Sequence, residues 1–327
     1  MRIFQIVSVL AIAILTWFVF KGKDGFQYIF GDLSFVWAEL FSGFSQYLIL
    51  ACVVLMMLIN WSAEAFKWQR ITGSLQKLSF VESLISVLAG LAVGFFVPNR
   101  VGEFAGKSLM LEKASFWKAS VLAFYTSFAQ LLTTGFWGLL ALMFFSELLE
   151  GIIPFNLHYF SVAVFALIMI VLILVYFSLN RFTYIFKRLK RIYKQIDVLN
   201  QVRRSDKFYV LAFSFIRFIV FTSQYIILLA LLEIKLPFSD AFLIISLMYL
   251  ILMVLPTIAL TELPARSALL FMLLSAWGEL SNSGLPDALE VRVILASTLI
   301  WLINIAVPAI VGAFFIPGFS IFKRKAK

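Results

Sequence analysis

Residues 95–111 read FFVPNRVGEFAGKSLML. An apolar run stops at Pro98, and Arg100, Glu103 and Lys107 follow within ten residues. The chain then returns to leucine and methionine. Proline ends a helix because its ring removes an N–H and clashes with the preceding turn. Gly102 and Gly106 permit tight turns or close helix approach. The stretch therefore reads as a break between two apolar arms, 81–97 and 104–114, with charges at the break.

The setting is a membrane. Of 327 residues, 63% are hydrophobic and 13% charged, and the mean hydropathy is +1.01. Soluble domains run near 45–50% apolar and about 25% charged, so a soluble fold is excluded. Spans of about 20 apolar residues cross the hydrocarbon layer. They are expected at 3–20, 45–62, 118–146, 159–179, 208–232 and 291–316. A second broken region, 240–255 and 264–277, surrounds LPTIALTELPARSALL (255–270), where Pro256 and Pro264 are expected to break the helix twice. The fold class is thus an all-α polytopic membrane bundle of about six full spans. To these it adds two proline-broken hairpins, each either re-entrant or fully crossing. One domain covers 1–327, with half-repeats at 45–179 and 208–316.

The net charge of +10 does not point to nucleic acid, because the basic residues gather in short loops. Residues 180–207 hold nine Lys/Arg against two Asp, and the tail is FKRKAK. By the positive-inside rule both are cytoplasmic, as is the N-terminus. The two hairpins then enter from opposite faces. In each, proline is followed by Glu and, four residues on, by a basic residue: Glu103 and Lys107, Glu262 and Arg266. That order and spacing favour an ion pair on a helix, and the pattern matches inverted repeats with broken helices.

Ionisable groups at membrane depth are costly and face a cavity or each other. Arg100 offers a planar fork suited to phosphate, and the helix starting near Val101 offers free N–H groups. Glu103 is placed to hold Arg100 or Lys107. Glu262 and Arg266 are the only charges between Asp240 and Glu279. Arg217, ten residues into its span, either snorkels to the interface or faces the interior. Gln130, Gln224 and Asn304 are expected to hydrogen-bond between helices. Glu64, Lys67 and Arg70 are expected to form a solvated amphipathic face at the head-group level. One cysteine (Cys52) and one histidine (His158) argue against a disulfide, a metal site or a histidine-based triad, and no cofactor motif is present.

PNRVGEFAGKSLML resembles the P-x-R-x-G-E…L signature of the lysylphosphatidylglycerol synthase transmembrane region, the flippase-like proteins. Span 119–146 and the proline motif near 256 fit too. Many relatives carry P-x-x-G-G-x-G-x-x-E, where this chain has PTIALTELPARS, without those glycines and with its glutamate at 262. The resemblance implies lipid translocation across the bacterial cytoplasmic membrane, and residue by residue it points to Arg100, Gly102 and Glu103. Larger relatives join this region to a soluble aminoacyltransferase domain. None is present here, so the chain is expected not to be an enzyme.

The head-group residues are expected to be Arg100, Gly102, Glu103, Lys107, Arg217, Glu262 and Arg266, in a polar cleft between the two hairpins. The ligand is a membrane phospholipid or a polyprenyl-phosphate lipid. The alternative is a non-catalytic scaffold that binds a lipid carrier for a separate lipid-modifying enzyme.

Overall fold

The computed structural model describes residues 34–97, 100–111, 114–145, 155–255 and 257–316. The expected span 3–20, Pro98, Pro256, residues 112–113 and 146–154, and the tail FKRKAK lie outside the described residues. Within them the chain is all-helical and contains no strand. The described α-helices are α1 (Phe44–Thr72), α2 (Phe80–Gly94), α3 (Gly102–Leu109), α4 (Phe116–Phe144), α5 (Phe155–Phe182) and α6 (Lys190–Ile196). They continue as α7 (Arg204–Leu231), α8 (Phe238–Val254), α9 (Ala259–Ser281), α10 (Leu289–Trp301) and α11 (Val307–Ala313).

Among the described residues six segments are long and apolar enough to cross a membrane: Phe44–Thr72, Phe116–Phe144, Tyr159–Leu179, Arg204–Leu231, Ala259–Ser281 and Leu289–Ala313. The protein is a multi-pass membrane protein. Five of these segments answer to expected spans, though α1 runs on to Thr72 where the span was expected to end at 62. The sixth, α9, replaces the short arm expected at 264–277. The second break expected at Pro264 is also corrected, since Pro264 lies inside α9. It sits just past the first turn, where it removes a single bond, to the Leu260 carbonyl. The start of α9 is also held locally. The Thr261 hydroxyl accepts from the Ile258 N–H at 3.1 Å, and the Glu262 N–H donates to the Ile258 carbonyl at 2.9 Å.

The chain divides into two compact units. The first comprises Met1–Met57, Thr134–Ile168 and Ile219–Leu302. Here α9 packs on both α8 and α10. Buried polar groups tie the helices: Gln224 Nε2 donates to the Val53 carbonyl at 2.7 Å, and the Tyr225 and Ser297 hydroxyls meet at 2.5 Å. Arg292 gathers the Leu232 carbonyl (2.9 Å), the Asp287 carbonyl (3.0 Å) and the Glu39 carboxylate (2.9 Å).

The second unit comprises Leu58–Thr133, Met169–Phe218 and Ile303–Lys327. Its α2 starts at a capping box: Ser79 Oγ accepts from the Glu82 N–H at 3.2 Å, and the Glu82 carboxylate accepts from the Ser79 N–H at 2.8 Å. Ser83, Ser86, Ala89, Gly90, Ala92 and Gly94 are buried along α2. In lipid, where apolar burial between helices contributes little, small residues let backbones approach closely. Both α3 and α11 use this surface. A Cβ at Gly106 would lie 2.6 Å from the Gly90 Cα, and one at Gly312 would run into the Leu88 carbonyl. A π-helical turn, Leu302–Ala306, precedes α11. It lies opposite Pro308, whose ring would crowd the carbonyl of Asn304 in a regular helix.

Candidate functional site

The site grows from one face of α1. Asn60, Glu64 and Lys67 recur at helical spacing and are all buried, while Leu55, Leu58 and Ile59 on the other face are exposed. This corrects the expected solvated face for Glu64 and Lys67. A polar stripe on a helix in water turns outward, whereas in lipid the same stripe must turn toward protein. Arg70, one turn further, does behave as expected. It is half-exposed and pairs with Asp206 at 2.7 Å.

Three cations converge on Glu64. Lys67 Nζ lies 2.8 Å from Oε2 and Lys107 Nζ 2.8 Å from Oε1, and the Arg217 guanidinium pairs with Oε2. Side-chain exposure is 0% for Lys67, 2% for Lys107, 4% for Glu64 and 16% for Arg217, so Arg217 is the most open member. Arg217 Nε also donates to Asn60 Oδ1 at 2.9 Å, and Asn60 Nδ2 donates to Asn304 Oδ1 at 3.5 Å. Lys67 Nζ donates to Ser214 Oγ at 3.0 Å. Indole faces complete the surroundings: Lys107 Nζ lies 5.9 Å from the Trp68 ring centre and the Arg217 guanidinium carbon 5.1 Å from that of Trp61.

Lys107 reaches the cluster because α3 lies tight on α2 across Gly90 and Gly106. A further chain fixes it: Trp68 Nε1 donates to Ser86 Oγ at 2.8 Å, and Ser86 Oγ donates to the Lys107 carbonyl at 2.9 Å. One carboxylate against three cations leaves two positive charges in buried surroundings. Such an arrangement attracts an anion.

The other expected residues fall as follows. Lys107 takes Glu64 rather than Glu103, four residues before it. Among the described residues Glu103 makes no ion pair, and it lies half-buried in the first turn of α3. The buried Glu64 is the stronger partner, because Coulomb attraction grows as water is excluded. Arg217 faces the interior and does not snorkel. Arg100 is partly exposed and has a left-handed backbone (φ 53°) ahead of α3. Gly102 is buried where a Cβ would lie 2.7 Å from the Val93 carbonyl, so its smallness serves helix packing. In the first unit Glu262 and Arg266 form the expected ion pair, and the Arg266 guanidinium carbon lies 5.6 Å from the Tyr249 ring centre and 5.9 Å from that of Phe221. Gln130, Gln224 and Asn304 hydrogen-bond between helices as expected.

Glu64, Lys67 and Asn60 were missed as site residues. The available signal was WSAEAFKW (61–68), a tryptophan-flanked Glu and Lys three apart, continuing an apolar helix.

The family model for the lysylphosphatidylglycerol synthase transmembrane region matches residues 5–286. The chain belongs to that family. The match takes in α1 to α9, and with them Glu64, Lys67, Lys107, Arg217, Glu262 and Arg266. A comparison with individually curated proteins gave no match.

Proposed function

We propose that this protein translocates lipids across the bacterial cytoplasmic membrane, receiving the head-group phosphate at the Glu64, Lys67, Lys107 and Arg217 cluster. One observation carries the reading: two buried lysines and the part-buried Arg217 share a single buried carboxylate. An uncompensated charge in low-dielectric surroundings is expensive, and a lipid phosphate supplies the missing negative charge while its tails stay in hydrocarbon. Arg217, the most open cation, meets the head group first. Arg100 and Glu103, at the start of α3, are carried in this reading as further head-group contacts. The balanced Glu262–Arg266 pair is a separate polar step. The termini are assigned to the cytoplasm.

The test is reconstitution of the purified protein in liposomes holding head-group-labelled lipids. Accessibility in the outer leaflet is followed for wild type, Arg217→Gln and Lys107→Met. Protein-dependent exchange that drops about tenfold or more in both variants supports the reading. Exchange unaffected by either substitution would remove the cluster from the path. No exchange with any phospholipid or polyprenyl phosphate would favour a lipid-carrier-binding scaffold.

A further inference from the structure

The charge count of the cluster narrows the ligand. We infer that the site selects a head group bearing two negative charges on one phosphorus, a phosphomonoester lipid, over a singly charged phosphodiester or a cationic aminoacylated lipid. The inference rests on the proposed head-group role of the cluster and specifies its substrate class.

The count covers every carboxylate of the second unit among the described residues. Glu64 is in direct contact with the three cations. Glu82 is held at the N-terminus of α2 by Ser79. Asp206 is taken by Arg70, and Asp197 accepts from Asn200 Nδ2 at 2.7 Å. Glu103 makes no ion pair. The charged groups acting on Glu64 are Lys107, Lys67 and Arg217, and those acting on Lys67 are Glu64, Arg217 and Lys107. Among the described residues of this unit no second carboxylate reaches the cluster, so the excess of two positive charges is left for a ligand to meet. A phosphodiester meets half of it. A lipid with an added lysyl group increases it. A phosphomonoester carries about −1.5 to −2 near pH 7 and three strong acceptor oxygens.

The donors fit the same ligand. An ammonium has three N–H bonds and a guanidinium five. Lys107 places one, on Glu64, and Arg217 places two, on Glu64 and Asn60. The hydrogen bonds Arg217 makes to the described residues come from Nε and Nη1, which leaves Nη2 for a ligand. Trp61, whose ring faces the Arg217 guanidinium, buries an indole N–H that donates to nothing among the described residues. A cluster of unspent donors around a surplus of positive charge suits an acceptor-rich dianion and offers an ammonium only the already shared Glu64.

Binding is measured on the full-length detergent-solubilised protein by native mass spectrometry. The probes are phosphatidic acid, a polyprenyl monophosphate, phosphatidylglycerol, lysyl-phosphatidylglycerol and inorganic phosphate. Either or both monoester lipids binding about tenfold or more above phosphatidylglycerol upholds the inference, and the better of the two identifies the tail. Lys67→Met, which lowers the surplus by one charge, should shrink that preference to about threefold or less. Trp61→Phe keeps the ring and removes only the N–H, and should weaken monoester binding if Lys67→Met does not fold. Equal binding of monoester and diester, or preference for the lysyl lipid, overturns the inference and leaves the head-group site standing. No lipid binding at all overturns both. Inorganic phosphate binding as tightly as the lipids overturns the lipid as the source of the phosphate.

Discussion

At the scale of single residues, Glu64 holds together groups that would otherwise repel. Lys67, Lys107 and Arg217 sit within one buried cluster, and the carboxylate is what makes their proximity tolerable. Glu64→Gln keeps the shape and removes the charge. Breaking a buried ion pair on one side typically costs about 3–5 kcal/mol, so the variant should unfold at clearly lower temperature or denaturant in detergent. Glu103→Gln removes a half-buried carboxylate that makes no ion pair among the described residues and should cost no more than about 0.5 kcal/mol. Similar losses for the two would mean that Glu64 is not the centre of the cluster. Thermal unfolding followed by tryptophan fluorescence measures both.

At the scale of elements, the cluster depends on how closely α3 approaches α2. The added methyl of Gly106→Ala would lie 2.6 Å from the Gly90 Cα and 2.7 Å from the Ala89 carbonyl oxygen. Backbone must move to admit it, and overpacking of this kind costs about 1–3 kcal/mol. Because Lys107 is the next residue, Gly106→Ala should also displace the lysine and lower anion binding. Unchanged stability and binding would refute the tight α2–α3 seam. Pro264 makes the opposite case. It lies inside a continuous α9 and only removes a bond to the Leu260 carbonyl, so Pro264→Ala should leave stability equal or raised by up to about 1 kcal/mol. A melting point lowered by the change would mean that the ring is needed where it stands.

At the scale of the whole molecule, the basic segment 180–207 sets the proposed orientation. In the described structure it contains α6 between two 3₁₀ stretches, Thr183–Arg188 and Asp197–Gln201. Lys187 is exposed. In a Cys52→Ser background, Lys187→Cys should react with a membrane-impermeant thiol reagent only after the cells are opened. Labelling of intact cells would reverse the topology and with it the assignment of the termini.

Lipid solvation makes several features legible from sequence alone. Twenty-residue apolar runs have no other use, so five spans fall close to where composition places them. Arg217 stands out because a cation deep in such a run needs a reason, and the Glu262–Arg266 pair lies four residues apart on one helix. Local rules fail where partners are remote in sequence. Glu64 meets Lys107 across 43 positions and Arg217 across 153. Because the apolar run of α1 ends at 62, local reading places Glu64, Lys67 and Arg70 on a solvated face, and only Arg70 lies there. Sequence by itself determined a multi-pass helical membrane protein and its family, since hydropathy and a short motif are properties of the chain. Tertiary structure decided which way the polar stripe of α1 faces, and that three cations share one carboxylate, because buried charges are matched by packing between helices rather than by spacing along them.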